Sequence, residues 1–207
     1  MSHERPWDAF AREKLIKIFS EKSLIIDIGG GLRIDPSKNN RCGAIHGLDE
    51  LSDMAKKVDY KILDKVADFH PDILGDIHAL PFADNSIDAI TCVYVLEHVE
   101  EPQKAVKEMY RVLKPGGYCW IEVPFLFYYH PMEGYYKDFY RFTYDGLEYL
   151  TRDFKRVEIR NHRGALATVM NLLPLFSKKT RFFELIDKLI GKEGSRQTSN
   201  YLVFCEK

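Results

Sequence analysis

Cysteine is scarce and unpatterned. The four cysteines, Cys42, Cys92, Cys119 and Cys205, are scattered through 207 residues without a CxxC pair. That spacing argues against a disulfide framework and against a cysteine zinc site, so no metal is expected. The thiols read as small buried hydrophobes in a reducing compartment. Net charge is lacking too: at −1 there is no global basic field to draw nucleic acid, and none is expected as a partner. No apolar run approaches the roughly 20 residues of a membrane span. Met1-Ser2-His3-Glu4-Arg5-Pro6 lacks the charged-then-apolar layout of a signal peptide. A cytoplasmic location is the expectation. Internal repeats, low-complexity tracts and linkers are also missing, and the length suits one well-buried domain over 1–207.

What is present alternates between two periodicities. Trp7, Phe10, Ala11, Leu15 and Ile18 recur at helical spacing. The run Leu24-Ile25-Ile26-Asp27-Ile28 reads as a buried strand, and Tyr60-Lys61-Ile62-Leu63-Asp64 and Pro71-Asp72-Ile73-Leu74-Gly75-Asp76 as strands ending in an acid. Between them, Asp35 to Asn40 is turn-rich and Asp49 to Val58 suits a short helix. The nearly continuous apolar run Ile87 to Leu96 fits a central parallel strand covered on both faces. Pro102 opens a helix with a stripe of Val106, Met109, Tyr110 and Leu113, which Lys114-Pro115-Gly116-Gly117 stops. Tyr118 to Val123, Arg156 to Ile159 and Tyr201 to Cys205 complete the strands. Strands alternating with helices imply an α/β fold with a mostly parallel sheet.

The first strand runs into Gly29-Gly30-Gly31. A turn without side chains lets a ligand approach the backbone and presents amide groups to an anion. A dinucleotide oxidoreductase would need a third glycine where this chain has Ile34.

Four segments in order carry a resemblance: Asp27-Ile28-Gly29-Gly30-Gly31, Gly75 to Asp88 with its Leu80-Pro81-Phe82 centre, Val95-Leu96-Glu97-His98-Val99, and Arg111 to Gly117. Together they resemble the class I S-adenosylmethionine-dependent methyltransferases, closest to small members acting on metabolites, lipids or glycans. The resemblance implies a Rossmann-like, doubly wound, mostly parallel seven-stranded sheet with helices on both faces and an antiparallel last strand. It implies S-adenosylmethionine as cofactor and S-adenosylhomocysteine as product. Gly29, Gly30 and Gly31 would receive the methionine part, and Asp27 its ammonium. Asp64 is assigned to the ribose hydroxyls, with Asp49 as the rival nearer the expected distance of roughly 20 residues from the glycines. If Asp64 holds that role, residues 32–59 contain an insertion. Asp76 and Ile77 would meet the adenine, and Tyr94 and Val95 would line the cofactor. After the fourth strand the chain reads Tyr94-Val95-Leu96-Glu97, not the Asn/Asp-Pro-Pro-aromatic motif usual in base methyltransferases, which argues against a flipped base as acceptor.

Residues 125–149 hold eleven of the 25 Phe and Tyr residues. They follow the fifth strand, at the sheet edge where open α/β folds bind ligands. An aromatic wall there either excludes water beside a cationic sulfonium or simply packs a loop onto the sheet. Tyr128, Tyr136, Asp138 and Arg141 are the expected substrate residues, Arg141 holding an anionic group or else a structural carboxylate. A hydroxyl acceptor needs its proton removed, and Glu97, His98 and His130 are the candidate bases. The expected acceptor is an oxygen on a small molecule, glycan or lipid precursor. Residues 164–194 look inserted: a helical cap, a homodimer surface, or a basic amphipathic membrane contact. Two readings compete with methyl transfer. One is a non-catalytic protein of this fold, which has no need for intact acids and glycines. The other is an aminopropyltransferase, which has no need for a carboxylate-receiving turn.

Overall fold

The computed structural model describes residues 5–34, 49–173, 175–176 and 180–207. The Asp35 to Asn40 turn and Cys42 lie outside them. The apolar run before the glycines forms β1 (Leu24–Ile28), behind α1 (Pro6–Glu21). There follow α2 (Asp49–Ala55), β2 (Asp59–Asp64), β3 (Ile73–Leu74), β4 (Ile87–Val93), α3 (Pro102–Val112), β5 (Leu113–Pro124) and α4 (Tyr144–Leu150). The last elements are β6 (Arg156–Asn161), α5 (Ala165–Asn171), α6 (Thr180–Leu189) and β7 (Asn200–Glu206).

The seven strands form one sheet in the order β3-β2-β1-β4-β5-β7-β6. β3, β2, β1, β4 and β5 are parallel, and β7 runs antiparallel between β5 and β6. Side-chain alternation sorts the core into two layers. Ile25, Ala89, Val93, Trp120, Leu202 and Phe204 pack with Trp7, Phe10, Leu15 and Ile18 of α1 on one face. Ile26, Ile28, Ile90, Cys92, Cys119, Ile121 and Val203 pack with Val106 and Met109 of α3 and Leu147 of α4 on the other. The expected fold class is the observed one.

Two elements differ from expectation. The third strand is only Ile73–Leu74. The helix stops ahead of Lys114-Pro115-Gly116-Gly117 as expected, but Leu113, placed in its stripe, is extended, and the four residues belong to β5. The register shows how. Ile87 pairs with Leu113 but Ala89 with Tyr118, so extra residues bulge out of β5. Gly116 takes φ +73° there, a conformation glycine adopts without strain.

Thr143 is the N-cap of α4, its hydroxyl accepting from the Gly146 N–H at 3.1 Å. Thr143→Ala is expected to lower stability by about 1 kcal/mol, read from urea unfolding. An unchanged midpoint would mean that water replaces the cap at no loss.

Residues 164–194 include α5 and α6, which pack on each other. The carboxylate of Asp187, buried in α6, accepts from the N–H groups of Leu166 and Ala167 at 2.8 Å each, capping α5 from outside its own sequence. No helix among the described residues is long and apolar enough to cross a membrane.

Candidate cofactor cleft and acceptor wall

The glycine turn is built by contact with two neighbouring strands. Gly29 and Gly30 take φ +75° and +59°. The Gly29 N–H donates to the Leu63 carbonyl at 2.8 Å, tying the turn to the end of β2. A Cβ on Gly29 would sit 2.5 Å from Val95 Cγ2, and one on Gly31 would run into the Val93 carbonyl oxygen. Only bare backbone fits against the end of β4. Tyr94, the next residue, has φ +54°, a left-handed strain typical of functional turns.

These pieces form a cleft lined by Gly29, Gly30, Gly31, Asp64, Ile77, Tyr94, Val95, His98 and Tyr136. Leu63, Val66, Phe69 and Val99 line it as well, and the sequence reading missed them. The acid at the end of β2 was the available signal, since Val66 and Phe69 follow it within one short turn (Ala67–Phe69 is 3₁₀). Asp64 lies at the carboxyl end of β2 and accepts from the Val66 N–H at 2.9 Å. Asp49 instead opens α2, ahead of that strand.

Asp27 and Asp76 do not line the cleft. Asp27 is fully buried and is not among the lining residues. Its carboxylate accepts from Thr91 Oγ1 at 2.7 Å, Tyr60 Oη at 2.6 Å and the Leu32 N–H at 3.2 Å. It therefore holds the glycine turn to β4 and β2 and is a positioning residue. The Gly29 amide, already donated to Leu63, is likewise not available to a carboxylate. Asp76 is half-exposed and lines an adjoining depression with His78, Glu100, Met132 and Tyr135. Burial would lift its carboxyl, but the His78 N–H and imidazole, at 2.8 and 2.7 Å, outweigh that and lower it.

Burial pushes the Asp27 carboxyl from 3.8 up to about 6, against its three hydrogen bonds. The folded state then binds more protons than the unfolded state between these values. Stability from this group is fully present below pH 3.8 and falls as pH rises through about 6. The loss is roughly 2–3 kcal/mol. Without ligand, Asp27→Asn is expected to gain that much on the native protein between pH 4 and pH 7, read by urea unfolding at both pH values. A constant difference between the two proteins would contradict the assignment.

His98 and Tyr136 line both the cleft and the depression. They form the junction, with ring centroids 4.3 Å apart. Glu97 is wholly buried beside them, and its backbone carbonyl accepts from the N–H groups of Phe139 and Tyr140 at 2.8 and 3.2 Å. The aromatic segment is thus sewn to residue 97, which brings His130 to His98 with ring centroids at 4.9 Å. Burial lowers the His98 imidazole, against the Glu97 carboxylate. The Glu97 carboxylate raises His130 from 3.7 Å, beyond hydrogen-bond distance, and burial opposes it. The three candidate bases therefore form one group.

Arg141, Asp138 and Tyr128, the other expected substrate residues, are bonded into the loop. Arg141 donates to both Asp138 oxygens, at 2.6 and 2.8 Å, and to the carbonyls of Tyr128 and Tyr140. Burial would raise the Asp138 carboxyl, but Arg141 and the His130 N–H hold it at about 2. Arg141 thus takes the structural carboxylate of the two alternatives. The Tyr128 hydroxyl donates to the Asn171 carbonyl, tying the loop to α5, and Tyr128 lines neither cavity. No described residue of 164–194 lines either cavity.

Residues 26–121 match the methyltransferase domain family. Demethylmenaquinone methyltransferase of Renibacterium salmoninarum is 62% identical over 45 residues, 22% of this chain and 19% of that protein. A ubiquinone/menaquinone biosynthesis C-methyltransferase of Neisseria meningitidis serogroup C is 43% identical over 72 residues, 35% of this chain and 29% of that protein. The chain thus spans less than a third of these curated relatives. An S-adenosylmethionine-dependent methyltransferase from Archaeoglobus fulgidus shares the fold, with TM-score 0.60 and 16% identity over 97% of this chain and 93% of that one.

Proposed function

We propose that this chain, a member of the class I S-adenosylmethionine-dependent methyltransferases by its fold and its match over residues 26–121, methylates an oxygen on a small-molecule, glycan or lipid-linked acceptor. The observation that carries the reading is the convergence of the glycine turn, Asp64, Ile77, Tyr94 and Val95 on one cleft. The residues fit the cofactor: the turn admits only backbone, and an acid stands at the end of β2.

S-adenosylmethionine, when bound, supplies a methyl group on a cationic sulfonium. Asp64 would hold the ribose hydroxyls, since one carboxylate accepts several hydrogen bonds. Ile77 and Val95 provide apolar walls. Tyr136 and His98 form the edge over which an acceptor in the depression meets the cleft. The sulfonium needs no activation, so alignment of the acceptor supplies much of the acceleration. The acceptor proton passes to the Glu97, His98 and His130 group, the reason to favour oxygen. Transfer to a carbon, as the name of the ubiquinone/menaquinone biosynthesis C-methyltransferase indicates for that protein, is the second reading. The non-catalytic and aminopropyl-transferring readings are separated from both by ligand binding.

Calorimetric titration with S-adenosylmethionine, S-adenosylhomocysteine and decarboxylated S-adenosylmethionine tests this. Micromolar binding of the first two, with the third weaker, is expected. No heat and no thermal shift with any of them overturns the methyltransferase reading. Preference for the third would make the chain an aminopropyltransferase.

A further inference from the structure

We propose that Glu97, His98 and His130 form a binding site for a divalent transition-metal ion of the zinc class at the junction of cleft and depression. Among the described residues, each of the three offers one ligand atom, all within 4.8 Å of one another. Glu97 Oε1 lies 3.8 Å from His98 Nε2 and 3.7 Å from His130 Nε2. Ligand atoms around a tetrahedral zinc, with bonds of about 2.0–2.1 Å, are roughly 3.4 Å apart. Small side-chain movements would close the set.

Two independent observations point to a ligand. First, both carboxylate oxygens of Glu97 are buried and have no hydrogen-bond partner. A buried carboxylate without donors is costly, and a cation removes that cost. Second, both imidazoles are oriented from behind. His98 Nδ1 lies 2.7 Å from the Lys137 carbonyl, and His130 Nδ1 lies 2.8 Å from the Tyr128 carbonyl. Each carbonyl fixes the proton on Nδ1 and leaves the Nε2 lone pair for a metal, the usual backing of a ligating histidine. Asp138 adds a further support by accepting from the His130 backbone N–H at 2.8 Å, which fixes the main chain that carries the ligand.

Two histidines and one glutamate form a set that leaves positions open for a substrate oxygen. Under the methyltransferase reading, on which this consequence alone rests, the acceptor is one that presents a hydroxyl to the ion. With the ion bound, the three side chains are ligands in place of bases, and the bound oxygen would lose its proton to solvent at neutral pH.

The test is zinc titration of chelator-stripped, tag-free protein against a chromophoric competitor, with Co²⁺ absorption as a second readout. One equivalent should bind, with d–d bands showing nitrogen and oxygen ligation. Affinity should fall by about 100-fold in Glu97→Gln and in His130→Ala, and by about 10-fold in Asp138→Asn. Circular dichroism without metal checks that each variant is folded. No uptake by the wild type leaves a Glu97–His130 ion pair alone and overturns the proposal. Equal uptake by wild type and variants places the ion elsewhere and also overturns it. Titration with S-adenosylhomocysteine in the stripped protein reads the cofactor cleft separately, so failure of the metal site and failure of the methyltransferase reading are distinguishable.

Discussion

Gly31→Ala is expected to weaken binding of S-adenosylhomocysteine by about 1,000-fold or more. The added Cβ would collide with the Val93 carbonyl oxygen and lie 2.7 Å from Val93 Cβ. Both belong to β4, whose backbone is locked between β1 and β5. A flexible side chain could move aside, but a central strand cannot. The turn must lift instead, and it leaves the cleft that it lines. Overpacking of this kind also lowers stability by about 1–3 kcal/mol. Calorimetry and urea unfolding, done on the same preparation, measure the two effects. Binding within tenfold of wild type would show that the turn does not carry the cofactor.

Asp64→Ala should weaken the same ligand by about 100- to 1,000-fold, while Asp49→Ala leaves it unchanged. Each hydrogen bond to a charged group contributes about 1.5–3 kcal/mol, and the proposed role of Asp64 involves two ribose hydroxyls. Its carboxylate also holds the Val66 N–H, so the variant loosens the turn beside the cleft. Asp64→Asn, which keeps an acceptor for that N–H, separates the contributions: it should recover the turn and only part of the affinity. Loss in Asp49→Ala with retention in Asp64→Ala would reverse the assignment.

The strands and the glycine turn were legible because their signals are local. Ile25 and Ile26 face opposite layers simply because they are neighbours in a strand. Three glycines after an apolar run leave little but a tight turn against a neighbouring backbone. Lys114 to Gly117 marked the helix stop, but not that the pairing of Leu113 with Ile87 carries the chain into the sheet around a bulge. Arg141, Asp138 and Tyr128 had the chemistry of substrate ligands. Their partners are loop carbonyls and α5, which no spacing in the sequence discloses. Asp27 carries a family motif, yet what it does depends on Thr91 and Tyr60 arriving from two other strands. The gathering of Glu97, His98 and His130 depends in turn on backbone bonds from Phe139 and Tyr140 to residue 97.

The position of β7 bears on how the chain is made. It pairs with β5 through Pro124 and Asn200 at one end and with β6 through Asn161 and Tyr201. On a ribosome, β6 therefore emerges well before the strand that joins it to the sheet. Until residues 200–206 are released, β5 keeps an open edge with exposed amides and carbonyls, and β6 has no partner. Such edges recruit other chains. The nascent protein is most vulnerable to aggregation in that interval, and holding it on a chaperone until translation of β7 would shield the edge.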